Sequence, residues 1–69
     1  MYISLNKISD VKEFVSISLN LCGDITLSSK KHCVDGKSIL GIFSLDLSNP
    51  VELKCQNEAD YAAFEQFGI

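Results

Sequence analysis

Apolar side chains recur along the chain in two rhythms. Ile3 and Leu5 alternate with Tyr2 and Ser4 over Tyr2 to Leu5, the period-two pattern of a half-buried strand. After the polar connector Asn6 to Asp10 the spacing changes. Val11, Phe14, Val15 and then Ser18 or Leu19 follow one another at three and four, which predicts a helix with one apolar stripe. Ser9 or Asp10 can cap that helix, Glu13 completes a capping box with Asp10, and Asn20 to Gly23 closes it. Alternation returns with Ile25 and Leu27 between Thr26 and Ser28. A polar turn at Ser29-Lys30-Lys31 and a short strand over His32 to Val34 then complete a hairpin.

The second half repeats the two rhythms. Asp35-Gly36 marks a turn, and Ile39, Leu40, Ile42 and Phe43 after Lys37-Ser38 have the spacing of a short helix. Asn49-Pro50 interrupts the chain, and Val51, Leu53 and Cys55 form the inward face of another strand. Asn57 can cap a last helix whose buried stripe is Tyr61, Phe64 and Phe67 and whose end is Gly68. The order is βαββαβα. One amphipathic sheet of four strands needs one covering layer, and three helices supply it. The expected fold is α+β, an open-faced β-sandwich in which a four-stranded antiparallel sheet is covered on one face by three helices. With 69 residues, the span 1–69 has room for a single core.

Charge narrows the choice of partners. Six lysines, no arginine and nine carboxylates leave a formal net charge of −3, which repels a nucleic-acid backbone and an anionic membrane surface. No apolar run approaches the roughly 18 residues needed to span a bilayer, and Met1 to Lys7 lacks the features of a signal peptide. A reducing cytoplasm is therefore expected, in which Cys22, Cys33 and Cys55 serve as small core hydrophobes.

The segment Gly36-Lys37-Ser38-Ile39-Leu40-Gly41-Ile42-Phe43-Ser44-Leu45-Asp46-Leu47 resembles the GKSIMGVMSLGI-type segment of the HPr family, the histidine-containing phosphocarriers of the phosphoenolpyruvate-dependent sugar phosphotransferase system. Phe14-Val15, Asp24-Ile25-Thr26-Leu27, the acidic start of the last helix before Ala62-Ala63-Phe64, and the element order support the resemblance. It implies the open-faced sandwich already read from the pattern. It also implies a histidine at the start of the first helix, in a His-x-Arg-Pro pattern, where helix amides and the arginine hold a phosphoryl group. Counting back from Phe14-Val15 puts Lys7 at the histidine position, Ser9 at the arginine and Asp10 at the proline. An ammonium with an ordinary pKa of about 10.4 cannot accept a phosphoryl group as a neutral imidazole does. No catalytic residue is expected, and no cofactor.

His32 reads as a solvated hairpin side chain. A metal site using it with Cys33 and another cysteine is the lesser alternative, because adjacent His and Cys do not match the usual ligand spacing. Ser38 is the remaining chemical position. The resemblance makes it a candidate for regulatory phosphorylation by an HPr-type kinase, and otherwise it is a helix cap. Four apolar residues in five cannot all face inward on one short helix. The resemblance therefore offers Lys37, Ile39, Leu40 and Phe43 as a surface for a protein partner, namely a phosphotransferase-system component, a kinase or a transcription regulator; burial of the apolar members beneath a neighbouring loop is the alternative. The expected function is a protein-binding or regulatory module, not an enzyme. The alternatives are kinase-dependent regulation through Ser38, and a structural or assembly subunit without phosphate chemistry.

Overall fold

Alternate burial along the two longest strands builds the sheet. In the computed structural model, which describes residues 1–30 and 32–69, strand β2 (Ile25–Ser29) buries Ile25, Leu27 and Ser29 and leaves Thr26 and Ser28 on the other face. Strand β4 (Val51–Cys55) likewise buries Val51 and Leu53. Strands β1 (Tyr2–Ile3) and β3 (His32–Asp35) flank this pair, giving the order β1-β4-β2-β3. All three pairings are antiparallel, with Ile3 opposite Val51, Leu27 opposite both Leu53 and Val34, and Ser28 opposite Cys33. The architecture is the α+β open-faced sandwich that the hydrophobic pattern predicts.

Helix α1 (Ile8–Leu19) buries Val11, Phe14 and Ser18, the three-and-four stripe of the sequence. Ser18 is tolerated at full burial because its hydroxyl donates to the Phe14 carbonyl at 2.9 Å. Helix α2 (Ile39–Phe43) is a short element that buries Ile42. The last helix, Glu58–Phe67, is 3₁₀ throughout. A 3₁₀ helix has three residues per turn, so Tyr61, Phe64 and Phe67 stack in one line along its buried side. Phe14 meets Phe64 and Phe67 with ring centroids 4.7 and 6.0 Å apart. The core is completed by Ile3, Leu5, Leu45 and the inward strand residues.

Several local expectations are corrected. The first helix starts at Ile8 with Lys7 as its cap residue, so Ser9 and Asp10 lie inside the first turn and no side chain caps it. Glu13 is consequently free of any capping box and accepts a hydrogen bond from Gln66 Nε2 at 2.9 Å. Strand β1 stops at Ile3, because the Ser4 N–H turns away to the Phe67 carbonyl at 2.9 Å. Strand β3 continues through Asp35. The turn expected over Ser29-Lys30-Lys31 includes Lys31, which lies outside the described residues; Lys30 takes the left-handed conformation, φ 54°. Asn57 occupies the cap position of the last helix without a side-chain cap bond. Cys22 and Cys33 are exposed and Cys55 is half-buried. The reading of the cysteines as core residues holds for Cys55, which packs against the core, and fails for the other two, because Cys22 sits in the loop after α1 and Cys33 pairs with Ser28 on the open face of an edge strand. Among the described residues, no helix is long and apolar enough to cross a membrane.

Candidate functional site

The segment from Asp35 to Ser44 is held by its own short-range bonds. Asp35 Oδ1 accepts the Lys37 N–H at 2.9 Å, and the Asp35 carbonyl accepts the Ser38 N–H at 3.1 Å, so the chain reverses sharply out of β3. Gly36 is required there, since a Cβ would lie 2.6 Å from Ile25 Cγ2. Ser38 is extended (φ −106°, ψ 107°) and its Oγ accepts the Gly41 N–H at 3.2 Å, the cap that the sequence proposes for this position. At the other end the Ser44 hydroxyl donates to the Gly41 carbonyl.

A five-residue helix cannot hide four large apolar side chains. It buries Ile42 and half-buries Ile39, while Leu40 is 80% and Phe43 43% exposed. Leu45 returns to the core just beyond. Ser38 is exposed with them. Lys37 differs from the rest of the predicted group: its Nζ donates to the Leu21 carbonyl at 3.0 Å, tying the start of α2 to the loop after α1. The ammonium adjacent to Ser38 in sequence is therefore engaged inside the molecule. Nothing in the local pattern signals this bond, which spans sixteen positions.

Lys7, at the place where the family pattern has its histidine, is the exposed cap residue of α1, with φ −123° and ψ 153°. Beside the start of that helix lies an open depression of about 360 Å³ lined by Ser4, Asn6, Asp10, Glu13, Gln66 and Phe67. Its two carboxylates oppose an incoming anion. His32 is exposed on β3, at the opposite edge of the sheet from β1. Three strand spacings separate those edges, roughly 14 Å, so the imidazole is not brought to the α1 terminus. Among the described residues no three His, Cys, Asp or Glu side chains gather as metal ligands.

Two titratable groups are perturbed. Asp46 is held below the usual carboxyl value of 3.8, first by the Ser48 hydroxyl and then by the Ser48 N–H, in a turn that also includes Asn49. Burial, reinforced by the nearby Asp60 carboxylate, pushes the Cys55 thiol up. Neither group lies in the exposed α2 surface. The sequence matches no family model and no curated protein.

Proposed function

We propose that this chain is an HPr-like binding module, related to the sugar phosphotransferase system, that does not carry phosphate on histidine and engages a protein partner from the Ser38 to Leu47 region in the cytoplasm. The observation that carries this reading is Leu40. A leucine 80% exposed on a capped, well-anchored helix is poor use of an apolar side chain in an isolated domain and good use of one at an interface. Phe43 and Ile39 extend the same surface. Lys7 at the start of α1 supports the loss of the carrier step, since an ammonium neither accepts nor relays a phosphoryl group at neutral pH. The net charge of −3 favours a protein over nucleic acid as the partner.

Incubation with phosphoenolpyruvate and the first enzyme of the system tests the carrier half of this reading. No acid-labile label is expected, and rapid labelling refutes it. Capture with purified candidate partners, namely phosphotransferase components, HPr-type kinase and transcription regulators, tests the binding half. Wild type should be retained by one of them and Leu40→Asp should not.

The exposure of Ser38 favours a second reading, regulation by phosphorylation at that hydroxyl. A cognate HPr-type kinase should then place one acid-stable phosphate on the wild type and none on Ser38→Ala. Equal labelling of the two removes this reading.

A further inference from the structure

Every aspartate and asparagine of the chain but one is followed by a residue with a side chain; the exception is Asp35, which is followed by Gly36. An Asp-Gly unit can rearrange without an enzyme. The glycine nitrogen attacks the aspartate Cγ, a succinimide ring closes, and water reopens it on either side. A side chain on the second residue hinders the attack, and glycine has none. Because the reaction needs no oxidant, metal or partner, the geometry of this turn decides whether Asp35 follows it.

The fold guards the nitrogen and not the carboxyl. Asp35 is exposed at the end of β3, and its Oδ1 accepts the Lys37 N–H at 2.9 Å, so the carboxyl already reaches across Gly36. Gly36 is buried, and its N–H donates to the Ile25 carbonyl at 2.8 Å. Attack requires this nitrogen to give up its proton and turn its lone pair onto Cγ. A buried N–H bonded to a carbonyl does neither, for the same reason that it is protected from exchange with solvent. The glycine is also packed so closely that a Cβ would lie 2.6 Å from Ile25 Cγ2, so the peptide turns toward the carboxyl only by leaving β2.

We propose that Asp35-Gly36 is a site of spontaneous isoaspartate formation gated by the Gly36 to Ile25 bond, closed in the folded chain and open whenever the turn into α2 separates from β2. The atoms balance with water alone. The Gly36 nitrogen bonds to Cγ, and one carboxyl oxygen leaves as water with the nitrogen's proton and one from the medium. Water then adds to the Asp35 α-carbonyl, whose bond to the Gly36 nitrogen breaks. The nitrogen takes back a proton, and the new α-carboxylate releases one to the medium. The main chain now runs through Cβ and Cγ and is one carbon longer.

The consequence falls on α2. The Asp35 carbonyl that accepts the Ser38 N–H at 3.1 Å is detached from the main chain as a free carboxylate, and the longer chain enters a turn where Ile25 leaves no space for a further atom. Isomerisation therefore unties the helix that carries Leu40 and Phe43 from the end of β3, whether or not that helix docks a partner.

The experiment incubates the full-length chain and a synthetic peptide of residues 34–39 near neutral pH at physiological temperature. Isoaspartate at residue 35 is read by electron-transfer fragmentation, which separates the isomers. The folded chain should isomerise at least about tenfold more slowly than the peptide. Urea below the unfolding midpoint should raise its rate in step with amide exchange at Gly36, since modification follows the population of the open form. Asp35→Ser keeps an acceptor for the Lys37 N–H but has no carboxyl, and should gain no isoaspartate. The product, purified by ion exchange, should show faster amide exchange at Gly41 with β2 and β4 still protected. Equal rates in chain and peptide overturn the gate, and so does a rate that stays flat while Gly36 exchange rises. An unfolded chain that keeps residue 35 as aspartate overturns the site, and a product with wild-type protection at Gly41 overturns the effect on α2.

Discussion

The rings of Phe14 and Phe64 lie 4.7 Å apart, tilted by 33°, with no solvent exposure on either residue. This contact joins α1 to the last helix across the core, and both helices depend on it for their position over the sheet. Phe64→Ala should cost about 3–5 kcal/mol. That is a large share of the 5–15 kcal/mol typical of a domain. Urea unfolding followed by circular dichroism checks this, and an unshifted midpoint would contradict the placement of Phe64.

Ser38→Ala removes the acceptor for the Gly41 N–H. The expected loss is about 1 kcal/mol, the usual worth of a cap. Amide exchange should quicken at Gly41 and leave β2 and β4 untouched.

At Leu40 stability and binding should part company. Because the side chain is 80% exposed, Leu40→Asp should stay within about 0.5 kcal/mol of wild type in the same urea titration. Any partner captured by the wild type should nevertheless be lost. Lys7→Ala should be as silent in stability, given the exposure of that side chain.

Gly36→Ala would set a Cβ 2.6 Å from Ile25 Cγ2 and 3.2 Å from the Ile25 carbonyl. The turn must open to admit it, at about 1–3 kcal/mol. The shift should appear as a lower thermal midpoint.

Acid should act partly through Asp46. Its folded carboxyl lies below 3.8, so its contribution to stability is complete above that value and is lost as pH falls through the lower, folded value. Asp46→Asn does not titrate. The stability gap between wild type and this variant should hold steady well above 3.8 and narrow as the pH falls through and below that value in acid-unfolding curves.

The elements were legible where a period is strong. Ile25 and Leu27, Val51 and Leu53, and Val11 with Phe14 declare strand and helix by spacing alone, and all six are buried. Tyr61, Phe64 and Phe67 declare a helix but not its kind; the structure makes it 3₁₀, whose three residues per turn line up that spacing of three. The start of α1 was misread because Ser9 and Asp10 are good cap residues in isolation, whereas the chain leaves the sheet early enough for Lys7 to take that place. In the candidate site, the Ser38 cap follows from a serine three residues before Gly41, and the exposure of Leu40 follows from apolar crowding on a short helix. The Lys37 to Leu21 bond and the exposure of Cys33 depend on how distant segments meet and on strand order, which hydrophobic spacing does not encode.

The bond from the Ser4 N–H to the Phe67 carbonyl has a topological consequence. Met1 accepts the Leu53 N–H at 2.7 Å while Gly68 lies against the Met1 side chain, so the first and last residues share one corner of the molecule. A short linker from Ile69 to Met1, with new ends opened at the exposed Ser48-Asn49 turn, gives a circular permutant that keeps every strand pairing intact.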